Sequence, residues 1–115
     1  MKYFLIVLTI IFLLPFTVSA NQDTEGIPVM PGAEIIMQST HKGSVRLEIL
    51  TKETPEKVAN FYKQAMETKG WPSGTVMISG NQSALMLYDK GRQFALKATV
   101  KDGITKVIMA LVQQE

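Results

Sequence analysis

The stretch ALMLYDKGRQFALKATVKDGITKVIMALVQ, residues 84–113, decides the fold. It holds three apolar segments separated by Lys90-Gly91 and Asp102-Gly103, and Asp-Gly between alternating apolar residues is a strong signal for a two-residue β-hairpin. A turn at Asp102-Gly103 pairs Lys101 with Ile104. Going back along both strands, it sets Ala98 against Val107, Leu96 against Met109 and Phe94 against Leu111, and every one of these inward pairs is apolar. The opposite face then receives Thr99 with Lys106, Lys97 with Ile108 and Ala95 with Ala110, a mixed surface suited to partial solvation. Leu85 and Leu87 must meet Leu96 and Phe94, which requires an even loop. A turn centred on Lys90-Gly91 supplies it, whereas a slip of one residue would expose both leucines.

Working outward, residues 75–79 (TVMIS) read as a further strand. A turn around Asn81-Gln82 keeps the same parity and predicts Ile78 against Leu85 and Val76 against Leu87. Before this meander, Thr54-Pro55-Glu56 opens a helix: Thr54 can cap free N–H groups, Pro55 fits the first helical position and Glu56 suits the positive end of the dipole. Val58, Phe61, Tyr62, Ala65 and Met66 form its buried stripe, and Gly70 ends it. Trp71, the only tryptophan, is then expected as a core plug folded back onto Met66 rather than as a flat surface for a ligand.

Two extended segments precede the helix, AEIIMQS and SVRLEILT, joined around His41. Val45, Leu47 and Ile49 alternate clearly. The register of the first strand stays open: an odd loop matches Ile35 and Met37 to the core face, whereas matching Ile36 needs a bulge, for which Gly43 is available. The expected fold is α+β: an antiparallel sheet of about six strands, ordered strand, strand, helix and four-strand meander, with the helix packed on the face of Phe94, Leu96 and Met109. The position of the first hairpin in the sheet is not fixed by this reasoning.

Residues 1–20, MKYFLIVLTIIFLLPFTVSA, carry a positive start, an apolar run, Pro15 and the small-residue ending Val18-Ser19-Ala20, the pattern of a cleaved secretory signal. The apolar run is short for a bilayer span, so no stable membrane span is expected after cleavage, and the domain is expected in the periplasm or secreted. Residues 21–31 read as a flexible lead-in and residues 32–115 as one domain. The chain's twelve Lys and Arg include Lys2, so the mature part sets eleven against ten acidic residues; nothing in this balance asks for nucleic acid. With no cysteine, disulfides and thiolate metal sites are excluded.

No catalytic, cofactor or metal constellation is apparent. His41 is the sole histidine and reads as an exposed turn residue, while Glu34, Glu48, Glu53, Asp89 and Asp102 lie on separate elements without ligand spacing. One feature exceeds the expectation for a solvated face. The derived register aligns Met77, Met86, Ala95 and Ala110 in one row on the side away from the helix, with Tyr88 and Ile108 on neighbouring rows. Alanines flanked by methionines make a shallow, adaptable trough, a candidate interaction surface for an unknown protein partner or a homodimer. The competing expectation is that Ile27, Val29 and Met30 fold across and cover it.

At Val29-Met30-Pro31-Gly32-Ala33, at residues 54–62 (TPEKVANFY) and at Gly70-Trp71, the chain resembles a group of small exported bacterial domains of uncharacterised function. Their shared features are a Pro-Gly-Ala entry, a Phe-Tyr helix and a Gly-Trp exit. The resemblance implies an α+β fold and an envelope location and transfers no site residue. The functional expectation is an exported, non-enzymatic binding or interaction domain that can self-associate through the open sheet face. Two alternatives stand beside it: a small hydrolase with a site near Trp71, Tyr62 and His41, and a small-molecule carrier with a cleft between helix and sheet.

Overall fold

In a computed structural model of the chain, residues 23, 24 and 26–113 are described; the signal expected over residues 1–20 lies outside them. A short ribbon, β1 (Asp23–Thr24) and β2 (Ile27–Pro28), leads into a hairpin of β3 (Glu34–His41) and β4 (Ser44–Thr51). The helix α1 (Pro55–Thr68) follows, and then β5 (Thr75–Ser79), β6 (Gln82–Asp89), β7 (Arg92–Lys101) and β8 (Ile104–Gln113). The six long strands form one antiparallel sheet in the order β3-β4-β8-β7-β6-β5, so the first hairpin docks against the last strand, with Leu47 opposite Met109 and Ile49 opposite Val107. This is, among the described residues, the expected α+β architecture, with one helix on one face of the sheet. Among the described residues no helix is long and apolar enough to cross a membrane.

The β6–β8 register is as the turn chemistry predicts: Phe94 faces Leu111, Leu96 faces Met109 and Leu87 faces Phe94. Lys42-Gly43, Lys90-Gly91 and Asp102-Gly103 each carry positive φ at both residues, the two-residue turn whose twist matches the flanking strands. Two registers differ from expectation. The β5–β6 turn sits at Gly80-Asn81, where Gly80 supplies a φ of 59°, and this moves the pairing by two residues: Val76 faces Leu85 and Ile78 faces Ser83. In the first hairpin the loop is even, His41 facing Ser44, and the bulge falls at Ile36 rather than Gly43. Ile35 therefore turns toward the core while Met37 lies opposite Glu48 on the other side.

α1 lies over β5, β6 and β7 and buries Val58, Ala59, Tyr62 and Met66. Thr54 Oγ1 accepts from the Lys57 N–H at 3.2 Å, which caps the first turn. The C-terminus closes with Gly70 at φ 99°, its N–H donating to Glu67 O and that of Trp71 to Met66 O, both at 3.0 Å. This double bond pattern places the residue after the glycine back on the last turn. Trp71 is accordingly buried, its ring 6.4 Å from that of Phe94, with the Arg92 guanidinium 4.0 Å above it. Asp89 holds that guanidinium from the side at 2.8 Å.

Two buried hydroxyls fix the helix start to the sheet: Ser83 Oγ donates to Pro55 O at 2.8 Å and Thr105 Oγ1 to Glu53 O at 2.6 Å. The lead-in contributes to the core as well. Ile27, Val29 and Met30 are buried with α1 and the sheet; the Met30 N–H donates to the Tyr62 hydroxyl at 3.2 Å, and Gly26 lies against Leu111.

Candidate functional site

The face of the sheet away from α1 carries the trough. Its geometry follows from the pairing. One row runs Thr75, Met86, Ala95, Ala110, and the next runs Met77, Ala84, Lys97, Ile108. Met77 thus belongs to the neighbouring row and sits diagonal to Met86, a direct consequence of the turn at Gly80-Asn81. Because Ala84, Ala95 and Ala110 have only a methyl group, the sheet surface there is low, and the longer Met77, Met86 and Ile108 rise around it. The resulting depression encloses about 480 Å³ and is open to solvent, within the range of about 300–1,000 Å³ in which small-molecule sites fall.

Met77 and Met86 remain 62% and 42% exposed. Exposed methionines on a concave apolar surface can re-pack around shapes that a rigid side chain would reject. The polar border is asymmetric. Lys97 lies within the lining, and Ser79 and Gln82 close the end next to the Gly80-Asn81 turn. Toward the outer hairpin Glu48 bridges two cations, Arg46 at 3.3 Å and Lys106 at 3.6 Å, so the apolar ground ends at an ion-paired rim.

Of the residues expected to form the surface, Met77, Met86, Ala95, Ile108 and Ala110 line the trough together. Tyr88 does not. It sits one row further along, 63% exposed, beside Gln93 and Val112 in a separate shallow depression. Ala84 is a floor residue that the sequence register missed; the shift of β5 brings it opposite Met77.

The competing sites resolve differently. The apolar residues of the lead-in do not cross the trough, since Ile27, Val29 and Met30 are packed on the helix side. Tyr62 and Trp71 are buried in that same core, whereas His41 is exposed on the outer strand β3, so the three do not form one site. Between helix and sheet the space is occupied: Tyr62 stacks on Phe94 at 6.4 Å and Phe61 meets Tyr62 edge-on at 5.0 Å. Burial drives the Tyr62 hydroxyl well above its ordinary pKa, with the Met30 N–H pulling only partly the other way. Among the described residues no three His, Asp or Glu side chains stand together as ligands for a metal.

A family model described as START domain-like matches residues 22–104. No curated protein and no solved structure matches the chain.

Proposed function

We propose that this chain, which belongs to the START domain-like family, is an exported, non-enzymatic binding domain that holds an apolar ligand in the trough of its open sheet face. One observation carries the reading: the trough's walls and floor are Met, Ala and Ile on a face that the described residues leave uncovered, while the helix side is filled. The START domain-like match, which suggests a ligand-binding fold, supports it. Lys97 at the lining gives the ligand a direction, because an acidic or otherwise electron-rich end is best placed beside it and an apolar body along the Met86, Ala95 and Ala110 row. Export rests on the signal pattern of residues 1–20.

The test is Met86→Glu, which sets a carboxylate in the middle of the apolar lining at a position already 42% exposed in the fold. Titration with anilinonaphthalene sulfonate, an apolar dye with one anionic group, is expected to show saturable binding by the parent chain. The variant should bind at least tenfold more weakly, a difference of about 1.4 kcal/mol, at unchanged melting temperature. Equal affinity in both chains at equal stability would place the ligand elsewhere. Loss of a dimer instead of loss of dye binding would favour the same face acting as a contact between copies.

A further inference from the structure

The two outer strands of the sheet are unlike each other. β3 is blunted as exposed edges usually are: it has a bulge at Ile36, Glu34 at its start and His41 at its end. β5 has none of these devices. Its sequence, Thr75-Val76-Met77-Ile78-Ser79, contains no charge and no proline, it pairs with β6 through five successive residues without a bulge, and Met77 and Ile78 are 62% and 50% exposed.

The hairpin geometry determines which backbone groups that edge presents. A two-residue turn at Gly80-Asn81 closes on Ser79 and Gln82 as a hydrogen-bonded pair. Pairs along an antiparallel ladder alternate, so Thr75, Met77 and Ser79 spend their N–H and C=O groups on β6, and those of Val76 and Ile78 point outward. Among the described residues no strand lies beyond β5 to receive them.

We propose that this edge pairs antiparallel with the same edge of a second copy, about a twofold axis through Met77. That register sets Val76 opposite Ile78 of the second copy and Ile78 opposite its Val76, two hydrogen-bonded pairs that use every outward group with four N–H···O bonds. Met77 meets Met77 at the intervening position, where facing side chains approach most closely, and Thr75 meets Ser79. A slip of one residue would oppose outward groups to inward ones; a slip of two would leave one outward residue of each copy without a strand partner. Residues directly opposite share a face, so Val76 and Ile78 meet on the helix side and Met77 meets its counterpart on the trough side. The two troughs then adjoin across the seam.

The occupant is a second copy because the segment complements itself: a twofold contact uses one patch twice, and β5 carries no charge that would select a partner of opposite sign. The contact is one short strand on each side, well below the area of a permanent dimer. Its population therefore depends on concentration. The inference is independent of what the trough binds.

The experiment compares the full chain with its Ile78→Pro and Ile78→Lys variants by analytical ultracentrifugation over a concentration series, with amide hydrogen exchange at the same concentrations. Among the described residues the Ile78 N–H has no strand partner, so proline removes an edge donor and is compatible with an outer strand; lysine keeps the backbone and places a charge at the seam. The expected result is a parent mass that doubles with concentration while the Val76 and Ile78 amides slow in parallel, and variants that stay monomeric. Ile78→Lys decides the matter if Ile78→Pro does not fold. A parent chain that stays monomeric throughout, a dimer that persists in the folded variants, or Val76 and Ile78 exchange that ignores concentration would each overturn the proposal. Met86→Glu lies off the seam, so its dye binding is read separately and failure of either reading is distinguishable.

Discussion

Gly74, the residue before β5, packs directly against β6, and replacing it with alanine opposes two effects of known sign. Its φ lies outside the left-handed region, so an alanine backbone fits without strain. On that ground alone the substitution should stabilise by about 0.4–1 kcal/mol, because the unfolded chain loses freedom. The new methyl group, however, would overlap the Leu87 side chain and stand 3.0 Å from Met86 O. Leu87 is 2% exposed and packed in the core, so it has nowhere to go, and the Met86 carbonyl belongs to the β5–β6 ladder, where Met86 pairs with Thr75. Overpacking of this kind costs about 1–3 kcal/mol. The steric term wins, and Gly74→Ala should destabilise by roughly 1–2 kcal/mol, a fall in Tm of about 5–10 °C for a domain of this size.

Calorimetry or urea unfolding measures the net effect, and a double-mutant cycle identifies its cause. In a Leu87→Ala background the overlap with the side chain is gone, so the cost of Gly74→Ala should shrink by about 1 kcal/mol; residues in contact couple on this scale, whereas distant ones add. Equal or higher stability of Gly74→Ala, or strict additivity with Leu87→Ala, would refute the steric argument. It would also mean that β5 sits further from β6 than the pairing of Thr75 with Met86 requires.

Two further outcomes follow from buried polar groups. Tyr62 keeps its proton in the fold where the unfolded chain, near its ordinary pKa of 10.0, releases it; the stability it contributes is therefore complete below about pH 10 and is lost as pH rises toward the folded value, at a limiting slope of about 1.4 kcal/mol per pH unit. Tyr62→Phe should start about 1 kcal/mol lower because Met30 N–H loses its acceptor, yet show a flatter decline between pH 10 and 11.5 in urea unfolding; parallel curves would contradict the assignment. Thr105→Val preserves shape but leaves Glu53 O without the 2.6 Å bond that ties the helix start to β8. A loss of about 1 kcal/mol is expected in chemical denaturation, with Thr105→Ser retaining the bond, and a loss in Thr105→Ser with none in Thr105→Val would show that the methyl group rather than the hydroxyl matters.

Which parts of this architecture were legible in the sequence depends on where the residues leave only one solution. From Leu85 to Leu111 they leave one: Lys90-Gly91 and Asp102-Gly103 fix two turns, and any odd slip would expose Leu85, Leu87, Phe94 and Leu96 together. At β5 the apolar pattern is degenerate. Val76 and Ile78 are apolar whether the turn sits at Gly80-Asn81 or one residue later, so only the positive φ of Gly80 selects the first, and with it the row to which Met77 belongs. At β3, Ile35-Ile36-Met37 gives three apolar residues in succession, which alternation cannot accommodate without a bulge and cannot place by itself. Burial of the lead-in was hidden for a different reason. Its cause is a shortage of cover: a helix about 10–12 Å wide spans two or three strands at about 4.8 Å spacing, and α1 lies over β5, β6 and β7. Leu47, Ile49 and Leu111 on β4 and β8 then need another apolar layer, and Ile27, Val29 and Met30 are the apolar residues of the lead-in that join them in the core. The same requirement determines the candidate site. With the lead-in drawn to the helix side by the wider apolar deficit, the described chain has no segment left to cover Met86, Ala95 and Ala110, and the open trough is the remainder of that competition.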